Sequence, residues 1–122
     1  MESIRWGIIG AGSIADTVAG DFAFVPQAEL VAVASRDLER SRRLARKHGI
    51  PAIHRDYRAL IESDGIDVVH IATTHPHHRD IALAAISAGK AVLVEKAFTV
   101  TLAGTEEVVA AATEAGVFAM EA

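Results

Sequence analysis

The chain has 122 residues, 51 % of them hydrophobic, and a formal net charge of −4; this fits one α/β domain with a buried sheet and is short for a two-domain enzyme. Without cysteine it has no disulfide framework and no thiolate nucleophile or thiolate metal site, and one Trp and one Tyr give an aromatic nucleic-acid platform little to build on. No apolar run nears the roughly 20 residues that span a bilayer, and Met1-Glu2-Ser3 lacks the basic start of a signal peptide, so a soluble cytoplasmic protein with no membrane partner is expected.

The first predicted strand, Ile4 to Ile9, runs into Gly10-Ala11-Gly12 and a helix from Ser13 to about Asp21. Pro26-Gln27-Ala28 breaks that pattern before a second apolar strand, Glu29 to Ser35. Asp37 then caps a basic helix, Leu38 to His48, which Gly49 ends and Pro51 keeps ended. Ala52 to His54 is a short third strand and Tyr57 to Glu62 a short helix, followed by the turn Asp64-Gly65. The fourth strand, Asp67 to Ala72, is apolar at nearly every position and therefore expected at the centre of the sheet. Thr73-Thr74-His75-Pro76 leads into a helix from His77 to Ala88, and Ala91 to Val94 is a fifth strand ending at Glu95-Lys96. Thr101 caps a last helix, Leu102 to Ala115, and a sixth strand begins over Val117 to Met120. Strands alternating with helices over short connections predict a doubly wound parallel sheet, a Rossmann dinucleotide-binding fold in the order 3-2-1-4-5-6.

In such a sheet a ligand lies beyond the carboxyl ends of the strands, near the switch in strand order. There Gly10 permits turn dihedrals closed to a residue with a Cβ, and Gly12 removes the side chain that would hold a pyrophosphate away from the backbone. The free N–H groups and the positive end of the helix that follows make an anion site. The bland alternative is a tight strand-to-helix turn with no ligand. An NAD site would end the second strand on a carboxylate for the ribose hydroxyls, whereas this chain has Ser35-Arg36, then Asp37, with Arg40 one helical turn on. A hydroxyl and two guanidinium groups suit a 2′-phosphate, so NADP is the expected cofactor; NAD stays possible if Asp37 takes the ribose while Arg36 stands in solvent.

Six of the 12 basic residues fall between Arg36 and Lys47. Negative overall charge and the lack of aromatic RNA-binding signatures argue against a nucleic-acid patch there. His75, His77 and His78 number too few for structural zinc without thiolates, so no metal is expected. Lys96, at the end of a buried strand, is the candidate catalytic group: its ammonium would orient a substrate oxygen or stabilise charge during hydride transfer, with Glu95 fixing its position. The bland reading of that pair is a surface Lys-Glu contact.

These residues resemble the N-terminal domain of the Gfo/Idh/MocA oxidoreductases, through GIIGAGSIA, VAVASRDLERS, DVVHIATTHPHHRDIALAAISAGKAVLVEKAFTV and FAMEA. ASRD, THPHH and MEA resemble most the branch of dihydrodiol dehydrogenases and NADP-dependent D-xylose dehydrogenases. The resemblance implies that Gly10, Gly12, Ser13 and Ile14 cradle the pyrophosphate and that Ser35, Arg36 and Arg40 hold the 2′-phosphate end. It implies that Thr73, Thr74 and His75 line the cofactor groove, that His78 matches the family's histidine at the start of the next helix, and that Glu95-Lys96 matches the Glu-Lys-Pro motif beside nicotinamide and substrate.

Two departures accompany the resemblance. Ala97 replaces the family's proline, which is expected to loosen the turn after Lys96. The family's second domain, which supplies most substrate contacts and the oligomer interface, is absent from these 122 residues. The chain is therefore expected to act as the nucleotide-binding part of an enzyme that oxidises CH–OH groups of a sugar, polyol or cyclic diol, binding cofactor alone but turning over little. The rival expectation is a stand-alone dinucleotide-sensing module without catalysis.

Overall fold

A computed structural model describes residues 2–122. The elements are β1 (Ile4–Ile9), α1 (Ser13–Asp21), β2 (Ala28–Ala34), α2 (Leu38–His48), β3 (Ala52–His54), α3 (Tyr57–Glu62), β4 (Val68–Ile71), α4 (His78–Ser87), β5 (Ala91–Val94), α5 (Leu102–Ala115) and β6 (Ala119–Glu121). Single 3-10 turns at Phe22–Phe24 and His75–His77 precede β2 and α4. All six strands pair in parallel in the order β3-β2-β1-β4-β5-β6, so the order reverses between β1 and β4 as the sequence predicts.

The two-residue period of the strands divides the core between the two faces. Ile8 and Val33 turn to one face, where Ala15 and Ala19 of α1 and Leu44 and Ala45 of α2 meet them. Ile9, Ala32, Ala34, Val69 and Ile71 turn to the other, against α3, α4 and Val108 of α5. Ile8, Ile9, Val69 and Ile71 are buried, and each such side chain contributes roughly 1.5–3 kcal/mol relative to exposure. A register shift between Trp6 and Gly7 brings the end of β1 level with that of β2, Ile9 opposite Ala34.

Local chemistry sets the element ends. The Asp37 carboxylate accepts from Glu39 N–H at 3.1 Å and Arg40 N–H at 3.2 Å, which starts α2. Asp56 caps α3 and Thr101 caps α5 in the same way. The strand expected from Asp67 to Ala72 runs from Val68 to Ile71, and the Asp67 carboxylate beside its start accepts from Arg5 N–H at 2.8 Å. The sixth strand, β6, pairs with β5 and begins at Ala119, since Val117 N–H is used to close α5 on the Ala112 carbonyl.

Candidate functional site

The carboxyl ends of β1, β2 and β4 open into a groove of about 610 Å³. Its floor is the glycine turn, tied to both neighbours: Gly10 N–H donates to Ala34 O at 2.8 Å, and Ala72 N–H to Ile9 O at 2.8 Å. Gly10 has φ +113°, and a Cβ there would stand 2.5 Å from the Ala72 carbonyl oxygen. Gly12 is the N-cap of α1, in extended conformation, and a Cβ there would meet nothing within 4 Å. Side chains cap α2, α3 and α5 but neither α1 nor α4, so the first N–H groups of α1 have no side-chain acceptor, and Ser13 and Ile14 of its first turn line the groove.

Ser35, Arg36, Asp37 and Arg40 form one end of this groove. Arg36 is exposed and has no ion-pair partner among the described residues. The Ser35 hydroxyl donates to Asp37 O at 2.8 Å and lies 2.6 Å from the Ser41 hydroxyl. One Asp37 carboxylate oxygen is occupied by the helix cap and the other lies 3.6 Å from Arg40 Nε. On the other side of Gly12 a second hollow of about 510 Å³ carries Arg40, Arg43 and Lys47. There Asp16 is held below the usual carboxylate range, first by the hydrogen bond from His48 and then by that from Lys47.

The opposite wall is made by Ala72, Thr73 and Thr74, with His77, Asp80 and Ile81 beyond them. Asp56 and Tyr57 reach the groove from the start of α3; they, Asp80 and Ile81 were not singled out as site residues in the sequence, because only the folded crossovers bring them there, whereas His77 was weighed there only as a metal ligand. Four expected site residues lie outside the groove lining. His75 is exposed, its ring edge-on to His78 at 5.5 Å. His78 is buried, with Nδ1 2.7 Å from Ala97 O and Nε2 3.1 Å from Thr73 O. Glu95 Oε2 lies 2.8 Å from Nε2 of buried His70, and Lys96 is exposed beside it, with a cis peptide between Lys96 and Ala97. His70 was not singled out from the sequence, where a histidine inside an apolar strand carries no distinguishing mark. The turn after Lys96 is tied down at Ala97 O by His78 and at Phe98 N–H by Glu121 Oε2 at 2.8 Å.

Among the described residues no group of three or more His, Cys, Asp or Glu side chains is arranged to hold a metal ion, and no helix is long and apolar enough to cross a membrane. The floor and Arg36 end fit a dinucleotide: an uncapped helix terminus behind a residue without a side chain would suit a pyrophosphate, and an unpaired guanidinium at the end of β2 would suit a further phosphate.

Residues 4–122 match the family model described as an oxidoreductase family with an NAD-binding Rossmann fold. The chain is 42 % identical to trans-1,2-dihydrobenzene-1,2-diol dehydrogenase of Sus scrofa, an alignment that covers 98 % of this chain and 36 % of that protein. Among solved structures, it is similar to the 3-ketoreductase KijD10 of Actinomadura kijaniata, in complex with NADP and TDP-benzene, at 33 % identity and a TM-score of 0.93, over 98 % of this chain and 37 % of that one. An NAD-binding oxidoreductase from Klebsiella pneumoniae is similar at 33 % identity and a TM-score of 0.86, over 98 % of this chain and 34 % of that one. The chain thus spans a little over a third of the length of the curated relatives it matches.

Proposed function

Given that the chain belongs to the Gfo/Idh/MocA family of oxidoreductases, we propose that it is the cofactor domain of an NADP-dependent dehydrogenase acting on CH–OH groups of a sugar, polyol or cyclic diol. One observation carries the choice of NADP: at the end of β2 the only carboxylate, Asp37, is already engaged by the N-terminus of α2, while the Arg36 guanidinium beside it is free. A carboxylate for ribose hydroxyls is thereby spent on folding, and a phosphate finds two guanidinium groups, Arg36 and Arg40.

The N–H groups of Ser13 and Ile14 hold the pyrophosphate across Gly12, and Thr73 and Thr74 confine the middle of the nucleotide. The bound cofactor supplies the carbon that accepts or gives the hydride. Lys96 donates a hydrogen bond to the substrate oxygen, holding it and favouring the charge that develops there. Glu95 stands next to it as a fixed carboxylate. The similarity to dihydrodiol dehydrogenases supports a diol or related alcohol as substrate. These 122 residues alone are expected to bind nucleotide and to turn over little, for want of groups that position a substrate.

Competition between adenosine 2′,5′-bisphosphate and 5′-AMP for the groove tests this reading. Tighter binding of the bisphosphate is expected; equal affinity would contradict the assignment of Arg36 and Arg40 to a 2′-phosphate.

A further inference from the structure

Lys96 has no side-chain partner among the described residues, yet both of its neighbours are held by a buried histidine. His70 reaches Glu95 from inside β4, its Nε2 2.8 Å from the carboxylate Oε2. His78 reaches the Ala97 carbonyl from the first residue of α4, its Nδ1 2.7 Å from the oxygen. The two rings are 1 % and 0 % exposed.

A carboxylate only accepts hydrogen bonds, so the proton of the His70 ring sits on Nε2 and Nδ1 is left bare. That Nδ1 is buried without a partner, a cost that an apolar residue at this strand position would avoid. Packing alone does not call for histidine here; the contact with Glu95 does. His78 is placed between two carbonyl oxygens, Ala97 O and, at 3.1 Å from Nε2, Thr73 O. A neutral ring donates to one of them and a protonated ring to both, with Ala97 the shorter contact. Because Thr73 lines the groove, the same ring joins the groove wall to the segment that carries the lysine.

We propose that His70 and His78 are positioning residues for Lys96, bracing the backbone on either side of it so that its ammonium leaves the sheet from one fixed point. The inference rests on the reading of Lys96 as the group at the substrate oxygen. Glu95 N–H donates to Ile71 O at 2.9 Å and Phe98 N–H to Glu121 Oε2 at 2.8 Å, so the braced segment has two amides whose protection reports on it. The chain has three lysines, Lys47, Lys90 and Lys96, few enough to resolve one by one.

Four variants separate bracing from packing. His70→Phe fills the space but loses the donor to Glu95, whereas His70→Gln keeps an N–H at the Nε2 position. His78→Gln keeps the bond to Thr73 and loses the one to Ala97, whereas His78→Asn does the reverse. In the free chain, amide exchange at Glu95 and Phe98 is expected to quicken at least about tenfold in His70→Phe and His78→Gln, relative to amides of β1, and to return to within about threefold of wild type in His70→Gln and His78→Asn. Unchanged exchange at both amides, or a uniform change across the sheet, would overturn the proposal. With lysines reductively methylated using a ¹³C label, which keeps their charge, NADP⁺ is expected to shift the Lys96 signal in wild type and to shift it less than half as far in the two losing variants, at nucleotide affinity within about threefold. Equal shifts in all chains would also overturn it. Failure of the wild-type chain to bind NADP⁺ would sink the reading of the groove instead, a result separate from either exchange outcome.

Discussion

Gly10 and Ala72 approach so closely where β1 and β4 part that a methyl on Gly10 would lie 2.5 Å from the Ala72 carbonyl oxygen. The contact draws the glycine turn against the fourth strand at the switch in strand order, and the groove opens above it. Gly10→Ala meets both this clash and a φ of +113°, and is expected to cost about 3 kcal/mol, or roughly 10 °C in Tm.

Gly12 gives the opposite expectation. Its backbone is extended and a Cβ there touches nothing, so Gly12→Ala should melt within about 2 °C of wild type. The new methyl enters the space in front of the α1 terminus, and nucleotide affinity should fall about tenfold or more. Melting curves and titrations on the two variants check the pair of outcomes; wild-type affinity in Gly12→Ala would remove the pyrophosphate from this turn.

Arg36→Ala should weaken NADPH binding about tenfold or more and NADH binding by less than about threefold, since an unpaired guanidinium loses one charge-assisted contact with the 2′-phosphate. Equal losses for the two cofactors would return the ribose to Asp37.

Burial holds the His70 imidazole below its ordinary value of 6.5, against the upward pull of the Glu95 carboxylate. As pH falls through about 6.5 the unfolded ring takes up a proton and the folded ring does not, so stability from this group is complete above that pH and is lost as pH falls through the lowered folded value. His70→Phe should therefore flatten the fall in Tm between about pH 7.5 and 5.5. An unchanged slope would mean that the folded ring protonates as readily as the unfolded one.

Lys96→Ala should leave Tm unchanged within about 2 °C, because the side chain is exposed and unpaired. Within a longer polypeptide that positions a substrate, turnover should fall about 100-fold or more with nucleotide affinity nearly constant. Full turnover by Lys96→Ala would take Lys96 out of the chemistry.

Features set by nearest neighbours in the sequence were readable from it. Asp37, Thr101 and Gly49 mark helix ends by local hydrogen bonding, and the apolar strands with short crossovers lead to one sheet order, 3-2-1-4-5-6. Gly10, Gly12, Ser35, Arg36, Thr73 and Thr74 follow from that order, since each ends a strand or begins the turn after it. What depends on register was not readable. His70 and Glu95 lie 25 residues apart and meet only because β4 pairs with β5 so that His70 faces Leu93. His78 begins a helix in the sequence, and only the folded loops show its ring between Thr73 O and Ala97 O.

Calorimetric titration of this chain with NADPH and, separately, NADH bears most directly on the groove as an NADP site. Binding of NADPH at one site per chain, about tenfold or more tighter than NADH, is expected from the free Arg36 and the engaged Asp37. Tighter binding of NADH, or heat from neither nucleotide, would contradict it.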